Sequence, residues 1–124
     1  MDTEKHIAFW RDGSLEDAQV AGELVGIGRW KHAMFFAHLA VEKGLKANVI
    51  RASNDFPPFI HNLTKLVDLA SLNVPEPYMA KLVVLNRWQI MSRYEDAPAE
   101  FKSEEAALLV EFSKEFSEWL TEQL

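Results

Sequence analysis

A chain of 124 residues is long enough to bury one hydrophobic core, and 48% hydrophobic against 26% charged residues is a globular balance. It has no cysteine, which excludes disulfides, thiolate chemistry and Cys-based zinc sites. A net charge of −6 argues against broad, sequence-blind nucleic-acid binding, while leaving a local basic patch open. The lack of cysteine, and an N-terminus without the basic region and apolar run of a signal peptide, suit a cytoplasmic protein. No window approaches the roughly 18 unbroken apolar residues of a membrane-spanning helix, so no membrane partner is expected.

Pro57-Pro58, Pro75 with Pro77, and Pro98 punctuate the chain, and between them the apolar spacing is helical. A first helical segment runs from about Thr3 to Ile27, with Ile7, Trp10, Leu15, Ala18, Ala21 and Val25 on one face. Gly13-Ser14 interrupts it: either Ser14 to Asp17 opens a fresh helix with a capping box, or one long helix carries a weak spot. Gly26 and Gly28 end the segment. The second helix spans about Arg29 to Ala52, with a face of Ala33, Phe36, Ala37, Ala40, Val41, Gly44 and Ala47 small enough to admit another helix closely. A short helix from about Asn62 to Ser71 turns Leu63, Leu66, Val67 and Ala70 inward. A fourth, from about Glu76 to Tyr94, has Met79, Leu82, Val83 and Ile90 on one side. The last, from about Ala99 to Glu122, has a stripe of Leu108, Leu109, Phe112, Phe116, Trp119 and Leu120. No segment alternates with period two, so the expected fold is all-α: an up-and-down antiparallel bundle of four long helices plus a short one, as a single domain over residues 1–124.

His38, Glu42 and Lys46 stand four apart on the second helix and therefore form a polar row on an otherwise apolar element. Such a row is costly unless partnered, which points to a ligand or a second surface. His38 and Glu42 are one turn apart, but two ligands are fewer than a metal site needs, and no metal or other cofactor is expected. His61 is either a structural hydrogen-bonding group at the mouth of the short helix or a titratable group lining a pocket. Arg93 either complements the C-terminal end of the fourth helix or grips a phosphate or carboxylate. Tyr94 is a core aromatic with its hydroxyl at the edge, while Asn86 and Trp88, off the main stripe, are expected to face a partner. Phosphate-loop, zinc-protease and nucleophile-elbow patterns are absent.

The ordered set of these residues resembles the HEPN family of helical nucleotide-binding domains over nearly the whole chain. Trp10 with Glu16-Asp17-Ala18 resembles its first-helix pattern. Trp30, Ala33, Phe35 or Phe36, Ala37, Ala40, Glu42, Lys43, Leu45 and Lys46 resemble its aromatic and Glu-Lys helix. His61, Leu63 and Leu66 resemble its His-x-Leu-x-x-Leu element, and Arg93-Tyr94 its late Arg-Tyr pair. Two departures stand out. His38 and Leu39 replace a pair of glutamines. The ribonuclease signature of active members, an arginine followed after four to six residues by a histidine, is incomplete: Pro98, Ala99 and Glu100 occupy those places after Arg93, and Ser92, Arg93 and Tyr94 after Arg87.

The resemblance thus implies a homodimer that binds a nucleotide or works with a minimal nucleotidyltransferase in a two-component, toxin–antitoxin-like system. His38, Glu42, Lys46, His61, Arg93 and Tyr94 would be the ligand- or partner-binding residues. The alternatives are a divergent metal-independent ribonuclease acting on RNA, with Arg93 and His61 or His38 as its catalytic candidates, and a structural dimerisation bundle without a ligand.

Overall fold

The computed structural model describes residues 1–91 and 103–124. Arg93, Tyr94, Pro98 and the predicted ends of the fourth and last helices at Tyr94 and Ala99 lie outside the described residues, as does the side chain of Ile90. Five helices follow one another: α1 Thr3–Gly26, α2 Trp30–Ser53, α3 Leu63–Leu69, α4 Glu76–Met91 and α5 Ser103–Glu122. Among the described residues there is no strand, and no helix is long and apolar enough to cross a membrane.

The first helix begins at Asp2, whose carboxylate accepts from the Lys5 N–H at 3.2 Å. It runs unbroken through Gly13-Ser14, so the capping-box alternative is set aside. Ser14 is buried, and its hydroxyl donates to the Ala40 carbonyl on α2 at 2.6 Å instead of serving its own first turn. Gly28, at φ +79°, supplies the left-handed residue that closes α1, with its N–H on the Val25 carbonyl and that of Arg29 on the Leu24 carbonyl. The chain then reverses into α2. At the far end Asn54 takes the left-handed position and its N–H caps the Ile50 carbonyl at 2.7 Å. The Thr3 hydroxyl donates to the Asn54 side chain and Arg51 grips Glu4 with two hydrogen bonds, so the end of α2 is tied to the start of α1.

The second helix is the axis of the fold and contacts each of the other four. From Ala40 to Ile50 every residue but Lys43 is buried. Its small-residue face does admit close neighbours, but they are α1 and α5 of the same chain. A Cβ on Gly44 would sit 2.9 Å from both Leu120 Cδ1 and Ser14 Oγ, too close for either to stay in place. This face is therefore not available to a second copy. Asn48 Nδ2 donates to the Gly44 and Leu120 carbonyls at 3.0 and 3.1 Å, fixing the C-terminal ends of α2 and α5 side by side. Tyr78, at the start of α4, donates its hydroxyl to Glu115 toward the end of α5 at 3.0 Å, so these two helices run antiparallel. Together with the α1–α2 reversal this gives the up-and-down bundle.

One hydrophobic cluster draws on all five helices. Phe112 and Phe116 of α5 stack at 5.4 Å, Phe116 stacks on Trp119 at 5.4 Å, and Tyr78 meets Phe116 edge-on at 5.3 Å. Each fully buried large side chain here contributes about 1.5–3 kcal/mol, which makes this aromatic group the main bond between α4 and α5. Leu63, Leu66, Val67 and Ala70 are all buried, as their spacing predicts. Three predicted core residues are not: Leu15, Val83 and Leu108 face outward. Beside the predicted Leu82, α4 buries Leu85 and Trp88, so Trp88 is a core residue rather than a partner-facing one.

Candidate ligand cleft at the second helix

His38, Glu42 and Lys46 retain only 5%, 4% and 5% of their surface. The row is therefore partnered within its own chain, which corrects the expectation that it must meet a second surface. Glu42 is the hub. Its Oε2 lies 3.2 Å from Lys46 Nζ one turn on, and its Oε1 lies 2.9 Å from His61 Nδ1 and 3.8 Å from His38 Nδ1 one turn back. Lys46 Nζ also sits 5.4 Å above the Trp10 ring of α1, so the ammonium rests between a carboxylate and an aromatic face. A buried carboxylate is tolerable when its charge is matched and its oxygens accept hydrogen bonds, and both conditions hold here.

His61 reaches Glu42 from the loop that joins α2 to α3, and 57% of its side chain stays exposed. The loop is held from below. Asn62 caps α3, accepting from the Lys65 N–H at 3.3 Å, and Asn86 of α4 accepts from the Leu63 N–H at 2.9 Å while donating to Asn62 Oδ1 at 3.3 Å. Asn86 thus serves the loop of its own chain and not a partner. An ionised carboxylate only accepts, so Glu42 places the proton of a neutral His61 on Nδ1 and leaves Nε2 as the acceptor.

Phe35, His38, Leu39, Glu42, His61, Trp88 and Gln89 line one cleft of about 300 Å³. It brings together three of the predicted site residues, His38, Glu42 and His61. Lys46 supports the cleft from behind through Glu42 without lining it. Arg93 and Tyr94 lie outside the described residues, so their distance from this cleft is not part of the geometry. Phe35, Trp88 and Gln89 were not anticipated. Trp88 follows Leu82 and Leu85 at three-residue spacing, which marks α4's inner face, but Val83 next to Leu82 hides that register. A second, partly buried ion pair was also missed: Asp17 of α1 lies 2.7 Å from Lys43 Nζ, and the Lys43 stem passes over Gly13, where a Cβ would be 3.2 Å from Lys43 Cδ. Among the described residues no group of three or more potential metal ligands converges.

Chemically, the cleft offers a flat apolar wall for stacking, an imidazole of fixed tautomer, and a carboxylate shared between cations. A larger groove between α4 and α5, lined by Phe112, aliphatic side chains and the carboxylates of Glu105, Glu111 and Glu115, has no imidazole, so of the two only the smaller cleft places a histidine beside a buried carboxylate. No curated protein and no solved structure matches the chain. A family model does: the HEPN domain matches residues 7–124, nearly the full length, covering α2 to α5 and all but the first turn of α1. The chain belongs to the HEPN family.

Proposed function

We propose that this HEPN domain binds a nucleotide in the cleft formed by His38, Glu42, His61, Phe35 and Trp88, and acts in the cytoplasm beside a minimal nucleotidyltransferase as half of a toxin–antitoxin-like pair. The observation that carries the reading is the His61–Glu42 contact of 2.9 Å at the edge of an aromatic-walled cleft. A buried, fully engaged carboxylate repels phosphate, whereas Phe35 and the imidazole suit a planar base with ring nitrogens; the phosphates are left toward solvent. The incomplete Arg-to-His signature favours binding over turnover. Titration with purine and pyrimidine nucleotides, followed by tryptophan fluorescence, tests it. Saturable binding that weakens at least about tenfold in His61→Ala, the cost of losing one well-placed hydrogen bond to a ligand, supports the reading. No binding by any nucleotide, and no stable complex when the nucleotidyltransferase encoded beside its gene is co-expressed, sinks it.

One observation favours the divergent-ribonuclease alternative. Glu42 orients His61 with Nε2 outward, as a general base for a 2′-hydroxyl would require. That alternative predicts RNA cleavage in the presence of a chelator, abolished in both His61→Ala and Arg93→Ala. Intact RNA under those conditions removes it.

A further inference from the structure

Three charged or titratable groups in a line set the hydrogen-bonding sense of the cleft. Lys46 Nζ lies 3.2 Å from Glu42 Oε2, and Glu42 Oε1 lies 2.9 Å from His61 Nδ1. His38 Nδ1 lies 3.8 Å from the same Oε1, too far for a hydrogen bond to it, so His61 is the imidazole this oxygen governs. Lys46 and Glu42 are buried, while His61 keeps 57% of its side chain exposed. A carboxylate between an ammonium and an imidazole accepts from both. The proton of neutral His61 therefore sits on Nδ1, and Nε2, the ring atom left for a ligand, is an acceptor.

Nucleobases differ in what they offer such an acceptor. Adenine and cytosine carry an exocyclic amine where hypoxanthine and uracil carry a carbonyl oxygen. An amine donates to a lone pair, whereas a carbonyl oxygen opposes it. The ring N–H of an oxo base is flanked by that carbonyl, so turning it toward Nε2 brings the oxygen alongside. We infer that the Lys46–Glu42–His61 line makes the cleft selective for bases with the amine, adenine and cytosine, over their oxo counterparts. The inference rests on the nucleotide reading of the cleft and gives it a specificity. His61 meets the base, Glu42 positions the imidazole proton, and Lys46 fixes which way the Glu42 side chain can be read. Exchanging one atom reverses the sense. In Glu42→Gln the amide oxygen turns to the Lys46 ammonium, which only donates, and the amide NH2 turns to His61. Nδ1 then accepts, the proton moves to Nε2, and the cleft presents a donor that suits a carbonyl oxygen.

Two measurements on the full chain test this, at about pH 8.5, above the ordinary imidazole range. Imidazole nitrogen NMR, assigned by comparison with His61→Ala, is expected to find the proton on Nδ1 in the parent and on Nε2 in Glu42→Gln. Tryptophan fluorescence titration compares adenosine monophosphate with inosine monophosphate, which has the carbonyl without guanine's second amine. The parent is expected to bind the adenosine nucleotide about tenfold tighter, the worth of one hydrogen bond to a ligand, and Glu42→Gln to reverse the order. A Glu42 that only held the fold together would weaken both nucleotides alike and leave their ratio unchanged. A parent proton on Nε2, equal affinities in the parent, or a ratio that does not move toward inosine in Glu42→Gln overturns the inference while nucleotide binding stands. Binding of neither nucleotide, with the proton found on Nδ1, fails the nucleotide reading itself and the selectivity with it. The tautomer and the affinity ratio of the parent decide the matter even where Glu42→Gln does not fold.

Discussion

The two sides of this bundle invert the usual distribution of side chains. Along the middle of α2 the protein buries His38, Glu42, Lys46 and Asn48, while on the α4–α5 side it leaves Val83, Val84 and Leu108 in water. The first region is closed: each buried polar group meets a named partner on α1, α5 or the His61 loop, or on its own helix. The second is open: among the described residues its apolar surface is left exposed. Polar burial therefore reports groups partnered by the chain itself, and apolar exposure reports side chains that the described residues leave to water.

The sharpest way to break this contrast is at Glu42. Glu42→Ala leaves Lys46 buried beside an empty space and should cost about 3–5 kcal/mol in urea unfolding. Replacing both partners, Glu42→Leu with Lys46→Met, should recover most of that loss, because the expense lies in the unpaired charge. On the open side, Leu108→Ser should stay within about 0.5 kcal/mol of the parent. Equal losses at the two places would erase the distinction.

Packing separates the regions again at the glycines. Gly44→Ala should destabilise by about 1–3 kcal/mol, since its new methyl has no room between Leu120 and Ser14. Gly22→Ala, on the outer surface of α1 with nothing within 4 Å, should stabilise by about 0.5–1 kcal/mol through helix propensity alone. Thermal unfolding of both variants would show opposite signs. Asn86→Ala removes the acceptor for the Leu63 N–H and should cost about 1 kcal/mol; hydrogen exchange of the Leu63 amide would rise.

The smallest effects are electrostatic and lie at the surface. Hydrogen bonding to Arg51 and its charge hold the Glu4 carboxyl below its ordinary range. A depressed carboxyl contributes stability above its unfolded value and loses it as the pH falls through the folded one, so Glu4→Gln should flatten the acid limb of the stability curve slightly. The Tyr78 phenol is pushed up, first by its hydrogen bond to Glu115 and then by burial. That contribution is present below the ordinary phenol range and disappears as the pH rises through the raised value. Tyr78→Phe should abolish this alkaline loss.

What could be read in advance follows the same division. The helices of α1, α2 and α3 declare themselves by spacing, and the inward face of α3 was legible residue by residue; on α2 the small residues were legible, but Phe36 is only half-buried, and Met34, Leu45, Val49 and Ile50 are buried besides. The face of α4 was not, because Leu82, Val83, Val84 and Leu85 are apolar in succession and a continuous run has no period to choose a side. Leu108 joined Leu109 in the predicted stripe for the same reason. Ser14 was unreadable in another way: its partner, the Ala40 carbonyl, is 26 positions away, and only the absence of a side chain at Gly44 makes room for it. The row His38-Glu42-Lys46 was visible, but its cover was not, since Trp10 and His61 come from opposite directions along the chain. The family motif located His61, while Phe35 and Trp88 became cleft walls only once α4 was set against α2.

The Asn62–Asn86 pair gives the fold a property no single helix has. Asn86 holds the Leu63 N–H, and Leu63 follows the histidine that reaches Glu42. The loop is therefore indexed to α4, which is also one wall of the groove. A loop indexed in this way makes the cleft depend on a helix that supplies two of its lining residues: a displacement of α4 that breaks the Leu63–Asn86 bond also shifts His61 relative to Glu42. The position of the imidazole is thus set as much by the far side of the bundle as by the carboxylate it touches.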